Sequence, residues 1–293
     1  MKDFGLLIID KPVGPTSHHV VNIVRRGTHI RKAGHAGTLD PRASGVLVLC
    51  LGAATRLSEY LSTSAKRYQA VIRFGATTGT YDADGKVIRS SGKLPTLDQV
   101  QAQLPAFVGE IEQVPPPYSA VKVRGQRAYA LARAGEDPEL GPRRVTIYRL
   151  ELLDYQPPDL TIEVECSAGT YIRSLAHDLG QRLGCGGYLA SLRRTAAGPF
   201  KIEEAVPLAK LETSFASGAW ESFLRPAVDA LPELPTIEVD QQGLELIRFG
   251  HRIPAAPGSS GMARAIGPDG DLLAVLEAVE GGTLWHPRKV FLG

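Results

Sequence analysis

The apolar run Val46-Leu47-Val48-Leu49-Cys50-Leu51 constrains the fold more than any other stretch of the chain. A strand with no polar position along it has no face to give to water, so the run predicts a buried strand. The turn before it reads His35-Ala36-Gly37-Thr38-Leu39-Asp40-Pro41-Arg42-Ala43-Ser44-Gly45. Glycines on both sides of Asp40 let another chain segment or a ligand approach closely. The sequence thus predicts a carboxylate held by a turn at the mouth of a buried strand.

Around this strand the pattern is not one of alternating βαβ units. Residues 5–9 read as a short buried strand, and two prolines and a glycine turn the chain at residues 10–15. Ser17 is expected to cap a short helix through Arg26, with Gly27 ending it. Residues 55–61 read as a helical turn or two. Residues 67–75 alternate, with Tyr68, Ala70, Ile72 and Phe74 on one face. A helix is predicted over 97–107 and strands over 145–153 and 161–166. Thr170 is expected to open a helix with Ile172, Leu175, Ala176, Leu179 and Leu183 in its apolar stripe. The fold class is α+β, with a mixed, largely antiparallel central sheet flanked by helices and loops. Pro226, Pro232 and Pro235 mark a linker. The expected domains are residues 1–232 and a small, mostly β unit over 236–293.

Composition excludes several function classes. The hydrophobic fraction of 43% and charged fraction of 22% suit a globular protein that needs no disulfide or metal staple. Cys50, Cys166 and Cys185 form no C-x-x-C pair, which fits a reducing, cytoplasmic setting. No apolar run approaches the ~20 residues that cross a bilayer, so no membrane role is expected. Sequences for nucleotide phosphates, a metalloprotease zinc or a serine nucleophile elbow are missing. The net charge of +2 hides an uneven distribution. Residues 11–39, 113–135 and 181–202 contain no acid. They carry many Lys, Arg and His residues, and Tyr118 and Tyr129 are interleaved in the middle stretch. Basic segments with aromatics suit a phosphate backbone with exposed bases.

An Asp-Pro pair before a strand is ordinary turn chemistry on its own. Arg173, after the loop Ser167-Ala168-Gly169-Thr170-Tyr171, is placed to aim into a cleft. Tyr68, on its alternating strand, could meet a base. Otherwise Arg173 is a surface ion pair and Tyr68 a core residue.

Several ordered motifs resemble one family. They are Leu7-Ile8-Ile9-Asp10-Lys11-Pro12; Gly34-His35-Ala36-Gly37-Thr38-Leu39-Asp40-Pro41; Lys66-Arg67-Tyr68; Tyr118-Ser119-Ala120-Val121-Lys122; and Cys166-Ser167-Ala168-Gly169-Thr170-Tyr171-Ile172-Arg173 followed by Leu192-Arg193-Arg194. Together they resemble the TruB family of tRNA pseudouridine synthases, which modify uridine 55 in the TΨC loop. The C-terminal part resembles a PUA RNA-binding module. The resemblance implies a pseudouridine synthase fold and an isomerase: uracil is detached at N1, turned while bound, and rejoined through C5. No metal or organic cofactor is implied. Asp40 is by resemblance the nucleophile, and a carboxylate with a pKa near ~3.9 needs no base to ionise it.

By the same resemblance Arg173 pairs with Asp40, Tyr68 stacks on the flipped uracil, and Leu192 lines the pocket. His35 fills the space the base leaves in the RNA. The segment 118–144 resembles a loop that closes over RNA, with Lys122, Arg124 and Arg127 as RNA contacts; Arg193 and Arg194 are expected to join them. Asp82 is a supporting acid, although Gly79 and Tyr81 depart from the family pattern around it. The implied partner is the tRNA TΨC stem-loop, with the enzyme acting as a monomer without a protein partner. Two alternatives stay open: a related synthase on another RNA, and a tRNA-binding or folding chaperone.

Overall fold

The computed structural model describes residues 4–123, 125–136 and 138–292. The chain divides into two compact bodies. One comprises Met1–Pro41, Gly45–Ser62 and Ala197–Gly293; the other comprises Arg42–Ser44 and Thr63–Ala196.

In the first body the strand Gly5–Lys11 pairs antiparallel with Ala43–Leu51, from Gly5 opposite Leu51 to Lys11 opposite Gly45. Val206–Pro207 runs parallel to the first strand on its other edge. Every residue from Val46 to Leu51 is 0–1% exposed, as an all-apolar strand requires. Val46, Val48 and Cys50 pack with Leu6, Ile8, Leu57 and Phe200. Leu272 and Val275 from the C-terminal sheet, with Phe291 just after its last strand, join that same cluster. The proline-marked stretch after residue 226 contributes too, since Ala227, Ala230 and Leu231 are buried there.

The helix predicted from Ser17 spans Ser17–Thr28, and its cap differs from expectation. Thr16 is the N-cap and accepts from the His19 amide at 3.0 Å. Gly27 lies inside the helix. A Cβ there would stand 2.2 Å from the Phe215 ring, so close packing rather than termination requires the glycine.

The C-terminal sheet has five strands in the order Thr236–Glu238, Met262–Ile266, Leu272–Val279, Leu284–Val290, Ile253–Pro254. The first pair is parallel and the others antiparallel. The helix Gln241–Arg248, capped by Asp240, packs Ile247 against Ala263, Leu276 and Trp285.

In the second body the strands run in the order Gly187–Ala197, Lys66–Phe74, Asp159–Cys166, Arg143–Gln156, Gly109–Gln113. Ala70, Ile72 and Phe74 face a core with Ile147, Leu160, Ile162 and Val164, covered by Leu175, Ala176 and Leu179 of the helix Ile172–Arg182. That helix begins two residues later than the Thr170 start predicted from sequence. The strand Gly187–Ala197 is a second departure: no strand is predicted over this basic stretch, yet it adjoins the Tyr68 strand. Residues 97–107 form a helix to Gln103, with a Thr96–Gln99 capping box, and then a tighter turn. The basic segment contains a small hairpin, Lys122–Val123 with Gln126–Arg127, and the helix Ala128–Arg133.

Candidate active site

In the first body, Asp40 is exposed between two fixed neighbours. Leu39 is 3% exposed, and both its backbone groups meet one hydroxyl: its N–H donates to Ser17 Oγ at 2.8 Å, and its carbonyl accepts from that Oγ at 2.9 Å. Ser17 is itself 2% exposed. The carbonyl of Pro41 accepts from the Gly14 amide at 2.8 Å, which needs Gly14 at φ 118°, a conformation that favours glycine. Ser17 therefore holds the turn, a role that its reading as a helix cap misses. Lys11, 0% exposed, donates to the carbonyls of Pro12 at 2.8 Å and Pro15 at 3.0 Å. It braces the adjoining turn and is not offered to solvent. His35 is half-buried at the end of the short strand Ala33–His35.

The second body brings together Arg173, Asp82 and their neighbours. Arg173 is 8% exposed on the first turn of its helix. Its guanidinium contacts Asp82 Oδ2 and the Thr80 carbonyl, both at 3.4 Å, and donates to the Tyr118 carbonyl at 3.0 Å. The ion-pair side chains are only 9% and 16% exposed, so screening weakens this pair less than a surface pair. Asp82 Oδ1 also accepts from the Thr80 hydroxyl and from the Asp84 amide, the latter at 3.1 Å. Asp84 in turn pairs with Arg42.

The start of the Arg173 helix is pinned from outside the sequence motif. Gln113, 2% exposed, donates to the Tyr171 carbonyl at 3.0 Å and accepts from the Tyr171 amide at 2.7 Å. The Ser174 hydroxyl donates to the Val114 carbonyl at 2.7 Å. The loop before it is closed by Ser167 Oγ, which accepts from the Thr146 amide at 2.9 Å.

Tyr68 lies opposite Val164, half-buried against the core. Its register is reinforced on the solvent face by directly opposed ion pairs, Arg67 with Glu165 at 2.9 Å and Arg73 with Asp159 at 2.7 Å. A slip of one residue would turn Tyr68 away from the core and put both charges inside. Leu192 packs partly buried against the same core. Both side chains combine core packing with a partly open surface.

Tyr81 has φ 62°, a left-handed conformation that costs a non-glycine residue about 1–2 kcal/mol. Its ring lies on His177 with centroids 3.8 Å apart and planes 14° from parallel. A stacked pair stabilises by about 0.5–1.5 kcal/mol, enough to offset much of that strain. Burial lowers the His177 pKa, which favours the neutral ring.

Not every residue proposed as an RNA contact is available. Arg194 is 1% exposed, which removes it from the surface expected to meet phosphates. It lies inside the body near Lys66, also only 5% exposed. Burial, with Arg194 second, pushes the Lys66 ammonium down to about 8. Arg193 is half-buried and donates to Ser44 Oγ at 3.4 Å. Lys122 and Arg127 are exposed on the hairpin. Arg124 lies outside the described residues. Among the described residues, no group of three or more His, Cys, Asp or Glu side chains is placed to hold a metal ion. None of their helices is long and apolar enough to cross a membrane.

Comparison with known proteins covers nearly all of both bodies. The family model described as "TruB family pseudouridylate synthase (N terminal domain)" matches residues 25–172. Models for a tRNA pseudouridylate synthase B C-terminal domain and for the C terminus of tRNA pseudouridine synthase II match residues 173–233 and 234–292. The chain is 43% identical to tRNA pseudouridine synthase B of Thiobacillus denitrificans over 98% of its length and 95% of that protein. It is 42% identical to the same-named protein of Ruegeria pomeroyi over the same shares. Among solved structures, an H/ACA RNP bound to a substrate RNA containing 2'-deoxyuridine matches with a TM-score of 0.77 at 26% identity, over 99% of this chain and 86% of that one. A Cbf5-Nop10-Gar1 complex matches at 0.77 and 29%, over 99% and 85%.

Proposed function

Since the chain belongs to the TruB family of pseudouridylate synthases, we propose that it isomerises uridine 55 in the TΨC loop of tRNA to pseudouridine, with Asp40 as nucleophile. The observation that carries this reading is the Asp40 turn. An exposed carboxylate stands between a buried Leu39 and a tethered Pro41, so it is accessible and held in place. That is what attack on a bound nucleotide requires.

The reaction exchanges one glycosidic bond for another. The N1–C1′ bond breaks, a C5–C1′ bond forms, C5 loses a proton and N1 gains one. Asp40 supplies an electron pair, to the ribose C1′ or to the uracil ring, and leaves when the new bond closes. By family resemblance Arg173 is the residue that orients Asp40, and Asp82 with two backbone carbonyls holds Arg173 in turn. Tyr68 stacks on the base, and Leu192 lines the pocket beside it. The base must first leave the RNA stack, at a cost of a few kcal/mol, and His35 occupies the space it leaves. Lys122, Arg127 and Arg193 bind phosphates.

The protein acts in the cytoplasm as a monomer and needs no guide RNA or protein partner. The identity of 42–43% to proteins named tRNA pseudouridine synthase B, over nearly their full length, supports a tRNA substrate above the Cbf5 likeness at 29%. The test is incubation of the purified protein alone with unmodified tRNA transcripts, followed by site mapping. Pseudouridine at position 55 is expected, and none in a transcript carrying cytidine there. No product without an added guide or protein would refute the stand-alone reading.

A further inference from the structure

The Tyr81–His177 stack sits where the family pattern is broken, and the reaction described above leaves it without a role. Tyr81 immediately precedes Asp82. His177 follows Arg173 by four residues, which places the two on one face of the helix. The loop and the helix therefore meet at two adjacent points: Asp82 with Arg173 at 3.4 Å, and Tyr81 on His177 at 3.8 Å. The first contact is a single-pronged ion pair, which carries less geometric specificity than a bidentate one. The second is a flat ring contact that sets the spacing between loop and helix.

Two further features select a stacking role for these side chains. Tyr81 holds a left-handed backbone conformation that places its ring there. His177 Nδ1 is buried with no hydrogen-bond partner among the described residues, and the ring face lies against Tyr81. Backbone bonds carry the arrangement onward. Leu189 donates to the Tyr81 carbonyl and accepts from the Ala83 amide, both at 3.0 Å, which fixes the loop to the strand bearing Leu192.

We propose that Tyr81 and His177 are positioning residues for Arg173: their stack sets the distance from the helix to Asp82 and the Thr80 carbonyl, and through it the aim of Arg173. The inference rests on the reading of Arg173 as an active-site group. The test uses the full-length protein and an unmodified tRNA transcript. It measures single-turnover pseudouridine formation, tRNA affinity and thermal melting for wild type, His177→Ala, His177→Phe and Tyr81→Gly. Glycine accepts the positive φ, so Tyr81→Gly removes the ring without straining the turn. Expected are rates about 10-fold lower for His177→Ala and Tyr81→Gly, with affinity within about twofold and folding retained. His177→Phe restores the rate, since a phenyl ring keeps the stack and buries no unpaired nitrogen. His177→Ala combined with Asp82→Asn is expected to lose less than the product of the two single losses. Wild-type rates in folded His177→Ala and Tyr81→Gly, or a fully multiplicative double variant, would overturn the inference. An inactive wild type would instead refute the functional reading beneath it.

Discussion

Ser17→Ala tests how the Asp40 turn is held. The serine hydroxyl accepts from the Leu39 amide and donates to the Leu39 carbonyl, with Ser17 and Leu39 only 2% and 3% exposed. Alanine leaves both backbone groups buried without these partners. A net hydrogen bond contributes about 1 kcal/mol, and an orphaned buried group costs about 1–3 kcal/mol, so the expected loss is about 2–4 kcal/mol. For a protein of this size that lowers the melting temperature by roughly 3–7 °C. The rate should fall further than stability implies. A displacement of about 1 Å in a reacting group can cost ~100-fold. The assays are thermal unfolding and single-turnover pseudouridine formation below the variant's melting point. A Ser17→Ala protein that melts within about 1 °C of wild type and reacts at the wild-type rate would refute the clamp.

Other outcomes follow from burial and charge. Burial raises the Asp178 carboxyl to about 6, above its ordinary 3.8. The folded state then holds that proton more tightly than the unfolded state, so this group's contribution to stability falls as pH rises from about 4 to about 6. Asp178→Asn should stabilise by about 1 kcal/mol at pH 7.5, after allowance for partial exposure, and by nothing near pH 4; chemical denaturation at both pH values checks it. Cys50, Cys166 and Cys185 are buried free thiols, with Cys50 pushed up to about 12 and Cys166 to about 11 by burial. A thiol reagent at neutral pH should label none of them in the native protein and all three after denaturation. If Lys122 contacts a phosphate, Lys122→Gln should reduce the salt slope of tRNA affinity by about one unit, and an unchanged slope would remove it from the interface.

Local pattern made much of the scaffold legible. The 46–51 strand could be read because every position along it is apolar, and the Tyr68 strand because its faces alternate. Interactions between distant residues were not legible. Ser17 looks like a helix cap in sequence, but its partner is 22 residues away. Gln113 only opens a basic, acid-free stretch in sequence, yet it holds the start of a helix 58 residues on. Arg194 adjoins Arg193 in a basic stretch, and a strand's alternation sends one inside and leaves the other half-buried. Basic composition cannot distinguish those two fates. The Tyr81–His177 stack left one visible sign, a residue out of place in its motif, and its partner is recognisable only once loop and helix meet.

The most direct test of the mechanism is Asp40→Asn, an almost isosteric change that removes the charge and the nucleophile. We expect it to bind unmodified tRNA with near wild-type affinity and to leave position 55 as uridine when the product is mapped. Pseudouridine at that position from the purified variant would contradict the assignment of Asp40 as nucleophile.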